Sequence, residues 1–255
     1  MIYYFSGTGN SKYVAELLAL QLNQPLSDMT ASDCPSAPSD GCESLGLVFP
    51  VYAWGTPSIV DQFIHSLRGC KAQYVWAVMT CGDDMGFTDH ILAKALRREC
   101  GLTLHAAWSV QMPNTYVCLP GFDVDSPEVA ERKVKQTIAR IPAIAQHILN
   151  HEHTTDVHRG AMPYTKSYVL RPLFNATLVT DKYFHISDDC IRCGLCAKNC
   201  PLHNITDDLQ WKGNCAGCLR CYHACPKRAI RFGQFTESKG QKNHILRHTA
   251  NQHSL

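Results

Sequence analysis

The sequence predicts an α/β chain: a doubly wound parallel sheet followed by a small, cysteine-rich α+β domain. Three observations predict it. Over the first 150 residues, apolar runs of strand length alternate with stretches of helical periodicity, the pattern of parallel strands joined by crossover helices. The first run, MIYYF at 1–5, leads directly into SGTGNS at 6–11 and then a helical pattern. Eight of the fourteen cysteines fall between 190 and 225, in two runs of identical spacing. A chain of 255 residues suggests about two domains. We expect the sheet in 1–150, a connector in 151–182, the cysteine-rich domain in 183–235 and a tail in 236–255.

The charge is nearly balanced, with 24 Lys and Arg against 22 Asp and Glu. It lacks the footprint of a nucleic-acid binder. No apolar run approaches the ~18 residues of a membrane span. The N-terminus has no basic region followed by an apolar one, so no signal peptide is expected. Abundant cysteine without a secretory signal points to the cytoplasm.

Taken in order, 1–5 reads as a buried strand, and Tyr13, Val14, Leu17, Leu18 and Leu22 recur at helical spacing. Between them lies a glycine-hydroxyl turn at a helix N-terminus. Backbone N–H groups and the helix dipole converge there on an anion site. Ser6, Thr8, Asn10 and Ser11 add donors without charge, and Gly7 and Gly9 supply the turn. The Walker pattern fails, and so does the dinucleotide fingerprint, because position 12 is Lys. A short second strand is placed at 26–29. Strand 45–51 ends in a loop with Pro50, Tyr52, Trp54 and Gly55, before a helix to about Leu67. Strand 73–80 ends at Thr80, followed by Cys81, Gly82, Asp83 and Asp84, before a helix to about Cys100. Residues 102–110 form a further strand. Residues 126–150 form an amphipathic helix with Pro127 in its first turn. Ile138, Ile141, Ile144, Ala145 and Ile148 make its apolar face, and Pro142 should bend it. In such sheets ligands bind at the carboxyl ends of the strands, where all three loops lie.

The cysteine runs are Cys190, Cys193, Cys196, Cys200 and Cys215, Cys218, Cys221, Cys225, each closed by proline. The spacing C-x2-C-x2-C-x3-C-P is that of a two-cluster bacterial ferredoxin with two [4Fe–4S] clusters, where the last Cys of each run serves the other cluster. That pattern implies Cys190, Cys193, Cys196 and Cys225 on one cluster, and Cys215, Cys218, Cys221 and Cys200 on the second. A zinc site also uses Cys-x-x-Cys pairs but needs neither the triplet nor the proline. A disulfide framework suits small secreted chains. From 183 to 235, seven basic residues face four acidic ones. That balance raises the cluster potential and argues against docking on basic patches.

The loop SGTGNS resembles the phosphate loop of flavodoxins, which holds the phosphate of FMN by neutral donors. That resemblance implies a flavodoxin-like sheet, with Tyr52 or Trp54 stacked on the flavin and Phe87 the one aromatic of the third loop. It implies that Gly82 lets backbone approach the ring, and that Asp83 and Asp84 lower the flavin potential. Cys81 is expected to be a small filler. MPNTY at 112–116 resembles the MPNNY-like segment of the EFR family of fused flavodoxin–ferredoxin proteins, with Thr at the fourth place. The combined resemblance covers nearly the whole chain. It implies electron transfer between FMN and iron–sulfur clusters, with a redox partner protein or small-molecule acceptor. An oxidoreductase of an anaerobic host is expected, since exposed cubanes are oxygen-labile. The alternative is a ferredoxin with a flavin-free, flavodoxin-like docking or sensing domain.

His151, His153 and His158 could suggest a metal, but the expected state is a solvated segment. Residues 159–182 carry Tyr164, Tyr168, Val169, Leu170, Leu173, Phe174 and Leu178. They are too apolar for a free linker, so a helical connector packed on its neighbours is expected. The tail from Glu237, with His244, His248 and His253, is expected on the surface and away from any cofactor.

Overall fold

A computed structural model describes residues 1–34 and 41–242. The apolar runs pair as parallel strands: β1 (Ile2–Tyr4), β2 (Leu26–Asp28), β3 (Cys42–Pro50), β4 (Ala72–Cys81) and β5 (Ala106–Gln111), followed by a short β6 (Thr155–Asp156). Their spatial order is β2-β1-β3-β4-β5-β6. The first five follow the flavodoxin-like doubly wound order. Helices α1 (Asn10–Leu22), α2 (Ser58–Ser66), α3 (Thr88–Cys100) and α4 (Pro127–Leu149) connect them.

Alternation along each strand sorts side chains to two cores. Tyr3, Phe5, Leu45 and Leu47 meet Ile59, Phe63, Leu92 and Leu96 of α2 and α3. Ile2, Tyr4, Val48, Trp76 and Trp108 meet Val14 and Leu18 of α1 and Ile141, Ile144 and Ile148 of α4. Ser126 caps α4, its Oγ accepting from Val129 N at 3.4 Å, and Pro142 lies within an unbroken helix.

The histidine segment adds a short strand that was not expected. It carries β6, paired to Ala107 and Trp108 of β5. His151 stacks on Tyr74 at 4.8 Å, and His153 meets His105 edge-on at 5.0 Å. His153 and His158 are exposed, as a solvated segment should be, and His151 is partly buried against Tyr74.

The connector is helical. A π-helical stretch (Thr165–Leu170) runs into α5 (Arg171–Thr177). Pro172 lacks an N–H and its ring crowds the carbonyl one turn back, which accounts for the widened turn before it. The helix docks on the sheet's loops. Ser167 Oγ donates to Trp54 O at 2.9 Å and accepts from Phe87 N at 2.8 Å. Arg171 Nη2 donates to Thr56 O at 2.9 Å.

The cysteine-rich part is an internal duplication. Left-handed residues recur twenty-five positions apart: Arg192 and Gly217, Gly194 and Leu219, His203 and Arg228. Short helices α6 (Leu195–Lys198) and α7 (Arg220–Ala224) follow the two members of the second pair, Gly194 and Leu219. β7 (Phe184–Ile186) pairs antiparallel with β8 (Ile230–Phe232), and Ile205 bridges Trp211 as the repeat-related counterpart. Val117 and Cys118, which follow β5 in the chain, are buried in this core beside Phe184, Tyr222 and Phe232.

The tail corrects the expectation. Its histidines lie outside the described residues, but residues 237–242 run back to the turn after β1, where Lys242 Nζ donates to Thr8 O. Hydrogen bonds to the second cysteine repeat carry it there, and its composition does not reveal them.

Two tests follow from this packing. A Cβ on Gly46 would enter the Trp76 indole of the neighbouring strand. Gly46→Ala is expected to destabilise the fold by about 1–3 kcal/mol, read as a lower urea midpoint. Glu99 ties α3 to the turn after α2 through Arg68 at 2.7 Å. Hydrogen bonds from Arg68, then Arg98, hold its carboxyl down to about 2. The folded value lies below the unfolded one, so this stabilisation is complete above the ordinary carboxyl range and lost as pH falls through about 2. Glu99→Gln should flatten the acid limb of the stability–pH curve between those values. An unchanged limb would exclude this clamp.

Candidate functional site

A cavity of about 500 Å³ opens at the carboxyl ends of β1, β3, β4 and β5, between the sheet and the cysteine-rich domain. Its size is within the ~300–1,000 Å³ range of small-molecule sites. Of the residues expected from sequence, Ser6, Gly7, Thr8, Asn10, Ser11, Pro50, Tyr52, Trp54, Thr80, Gly82 and Asp83 line it. Gly9 and Gly55 do not. Gly9 takes the left-handed φ of 99° that starts α1, and Gly55 makes room for the Arg171 side chain.

The turn after β1 is tightly ordered. Gly9 N donates to Ser6 Oγ at 3.0 Å, and Ser11 Oγ shares a hydrogen bond of 2.8 Å with Thr80 Oγ1. Asn10 Nδ2 donates to Pro113 O at 2.8 Å. The loop carbonyls are engaged from the other side. Arg220 Nη2 donates to Ser6 O at 2.6 Å and its Nε to Gly7 O at 3.2 Å. Peptide carbonyls held in that way leave N–H groups for the helix N-terminal side.

The second loop is a two-residue hairpin. Tyr52 and Gly55 exchange both backbone hydrogen bonds at 3.0 Å. Ala53 (φ 46°) and Trp54 (φ 56°) both occupy the left-handed region between them. Such a turn normally takes Asn-Gly, so two ordinary residues here store strain at the cavity mouth. Lys166 Nζ lies 5.7 Å from the Trp54 ring centroid and pairs with Asp84 at 2.5 Å. Asp83 is solvent-exposed with Lys133 at 3.7 Å. The acidic pair expected to act on the ring is thus partly offset by lysines. Tyr52 Oη crowds the space where Gly7 would carry a Cβ, and burial raises the Tyr52 phenol well above its ordinary value.

Phe87 does not line the cavity; it stacks on His90 at 4.7 Å. The second aromatic wall comes from residues the sequence did not assign: Tyr116, Phe122 and Phe174, with Tyr116 5.5 Å from Phe174. MPNTY is the wall that joins the halves. Pro113 O accepts from Asn10, Thr115 Oγ1 from Thr8 at 3.4 Å, and Thr115 O meets His223 Nε2 at 2.8 Å. The motif was the available signal for it. Cys81 is buried and its thiol pushed up to about 12, chiefly by burial, as a filler should be.

FMN, the group the loop resemblance implies, can be tested on orphaned atoms. Asn10 Oδ1 and Tyr116 Oη are buried, line the cavity and lack a protein partner. Buried polar atoms are normally satisfied; Asn10 Oδ1 requires a donor, and Tyr116 Oη can donate or accept. The hydroxyl loop and the aromatic walls fit a phosphorylated aromatic ligand.

The eight thiols form two groups. Cys190, Cys193, Cys196 and Cys225 line one small cleft with Leu195 and Pro226. In the other, burial pushes Cys215 up to about 12, and the charges of Cys218, Asp181 and Cys200 add to it. Cys221 is raised by burial, then by Cys218, Cys215 and Cys200. The fourth cysteine of each run thus sits with the opposite triplet. Amide donors repeat with the duplication: Arg192 N to Cys190 and Gly217 N to Cys215 at 3.4 Å, Asn204 N to Cys200 and Ala229 N to Cys225 at 3.2 Å. Among the described residues no three His, Cys, Asp or Glu side chains converge on a point that a single ion would occupy. Cys218 also lines the large cavity, beside Gly7.

Comparison with known proteins bears on the C-terminal part. The 4Fe-4S binding domain family matches residues 183–206. Over 58 residues, 22% of this chain, the sequence is 38% identical to the polyferredoxin protein MvhB of Methanothermus fervidus. The chain spans only 14% of that relative's length. This part is therefore similar to iron–sulfur electron-transfer proteins. Solved structures overlay on the sheet. The Trp repressor binding protein from Bacillus subtilis does so at 12% identity and a TM-score of 0.36, over 56% of this chain and 96% of that one. Rubredoxin oxygen:oxidoreductase from the anaerobe Desulfovibrio gigas gives 16% and 0.33, over 58% and 36%. An NAD(P)H:quinone oxidoreductase from Methanothermobacter marburgensis gives 9% and 0.36, over 60% and 96%. Scores this low carry no weight, and the fold assignment rests on strand order.

The hairpin yields a test. Ala53→Gly removes a left-handed penalty of roughly 1–2 kcal/mol and adds glycine's own entropy cost of about 0.5–1 kcal/mol. A net gain of up to about 1 kcal/mol, seen as a higher Tm, is expected. A lower Tm would show that the turn is not strained.

Proposed function

We propose that the chain is an electron-transfer flavo-iron–sulfur protein. It passes electrons between two [4Fe–4S] clusters and FMN to a redox partner protein or small-molecule acceptor. The observation that carries this proposal is that Cys218 and the hydroxyl loop line one cavity. Bound clusters supply single electrons, and bound FMN takes one or two.

In this reading Cys190, Cys193, Cys196 and Cys225 hold one cluster, and Cys215, Cys218, Cys221 and Cys200 the other. The four repeated amide donors aim at cluster sulfurs and tune their potential. Ser6, Thr8, Asn10 and Ser11 hold the flavin phosphate, Tyr52 and Trp54 bracket the ring from one side, and Gly82 lets backbone reach its edge. Cys218 puts the second cluster nearer the flavin. Cys193 and Ile191 are exposed, so the first cluster is the outer one and faces the partner. The resemblance to the EFR family supports the same arrangement, as does the match to a 4Fe-4S binding domain. No helix among the described residues is long and apolar enough to cross a membrane. We place the protein in the cytoplasm of an anaerobic cell.

Iron, acid-labile sulfide and flavin content of anaerobically purified protein test the proposal. About eight irons and one FMN per chain are expected. Cys218→Ser should lower iron content and perturb the absorption of the flavin beside it. Full iron with no flavin, and none taken up from added FMN, leaves a ferredoxin with a docking or sensing domain. Zinc in place of iron would overturn both cluster assignments.

A further inference from the structure

The turn that would hold the flavin phosphate carries no charge of its own. Lys12, the first basic residue beyond it, is half-exposed and pairs with Glu16 at 3.7 Å. All three nitrogens of Arg220 donate to backbone carbonyls, the third to Asn199 O at 3.3 Å. Lys166 is paired with Asp84.

Lys242 is different. Its ammonium donates to Thr8 O and stands 3.1 Å from where a Cβ on Gly9 would lie. A strap of residues 236–242 brings it there. Tyr222 Oη donates to Gly240 O at 3.2 Å, and Gly240 N donates to Asp123 Oδ1 at 2.8 Å. Gln241 Nε2 donates to Tyr222 O at 2.7 Å and to Cys225 O at 3.0 Å. Lys242 N donates to His223 Nδ1 at 3.0 Å, which leaves the proton on Nε2 for Thr115 O. Gly240 has no space for a Cβ, because Val124 fills it. Burial lowers the Lys242 ammonium to about 8, and among the described residues no carboxylate pairs with it. A partly buried cation without a counter-charge is costly. Beside it, Asn10 is 8% exposed with an unpartnered Oδ1. An anionic ligand in the loop supplies the counter-charge that Lys242 lacks, while Asn10 Oδ1, an acceptor, is left for a donor group of the same ligand.

We propose that Lys242 is the phosphate-specificity residue of the cavity, a cation delivered from the cysteine-rich half that makes the site select a phosphorylated flavin over the unphosphorylated one. The proposal rests on the reading that the cavity holds flavin. One bond places the ammonium on the loop. Its remaining protons and its charge act on the phosphate, and the ring end of the ligand is left to Tyr52, Trp54 and Tyr116.

The test is a titration of the anaerobically purified full chain, clusters loaded and flavin removed, with FMN and with riboflavin, followed by flavin fluorescence. The wild-type chain should prefer FMN, and added salt should weaken that preference. Lys242→Met and Lys242→Gln should each lose FMN affinity by roughly tenfold to a hundredfold, the range of a charge-assisted contact, with riboflavin affinity unchanged. Lys242→Arg should keep most of it. Glutamine keeps a donor for Thr8 O without the charge, so full FMN affinity in Lys242→Gln would overturn the proposal. Equal losses for both flavins, or a wild-type chain indifferent to the phosphate, would also overturn it while leaving the flavin reading intact. A wild-type chain that binds neither flavin would remove both.

Discussion

The guanidinium of Arg220 joins the two halves of the molecule. It sits between two cysteines of the second run and donates to the carbonyls of Ser6, Gly7 and Asn199. Planar, permanently charged and rich in donors, arginine suits several convergent carbonyls better than lysine. The turn after β1 is therefore locked to the loop that carries Cys218 and Cys221. Val117 and Cys118 reinforce the joint by entering the core of the cysteine-rich half, and Ala216 and Cys218 pack on the core of the sheet. Each half completes the other's hydrophobic core. A hinge between them would expose apolar surface on both sides, so their separation is fixed by packing and not by linker length.

That joint explains where strain is tolerated. The left-handed Ala53-Trp54 pair is over-determined by its neighbours: Ser167 takes the Trp54 carbonyl, Lys166 covers the indole, and Arg171 occupies the space beside Gly55. All three contacts come from the helix with the π-helical turn. Pro172 widens that helix one turn after Ser167 and Lys166, and irregular turns of this kind recur at functional sites. The connector thus works as the clamp that holds an unfavourable hairpin at the mouth of the cavity.

What the sequence reveals divides along physical lines. Long apolar strands and amphipathic helices are legible because burial is patterned, so β1, β3 to β5 and α1 to α4 follow from pattern, whereas the short, half-buried β2 carries little signal. The β6 strand is not: two exposed residues, Thr155 and Asp156, carry no periodic signal, and only pairing with β5 makes them a strand. In the site, the hydroxyl loop is legible because its chemistry is contiguous. The far aromatic wall is not, because Tyr116, Phe122 and Phe174 converge from separate segments whose spacing encodes nothing. Phe87 looks right by position and turns away because His90 and the connector offer it better packing. MPNTY is visible as a motif but silent as to role. Its function as the wall between the halves depends on Asn10 and His223, over a hundred residues away on either side.

The basic surplus of the cysteine-rich half acquires a different meaning once its members are located. Read as composition, an excess of Arg and Lys suggests an external surface. Arg220 lies inward, against the loop that precedes α1, and Lys242 approaches the same loop from the tail. A neutral loop at a helix N-terminus binds an anion through partial charges only, to which a full positive charge nearby adds. In the proposed flavin site, full charges supplied from the other half strengthen anion binding and tie it to correct assembly of the cysteine-rich repeats. The turn after β1 and the second cysteine run then depend on one structure. Disorder in the repeat that holds Cys218 and Cys221 releases Arg220 and the Tyr222-anchored strap together, and with them the charge balance of the loop. The loop after β1 is thus complete only when the cysteine-rich half is in place.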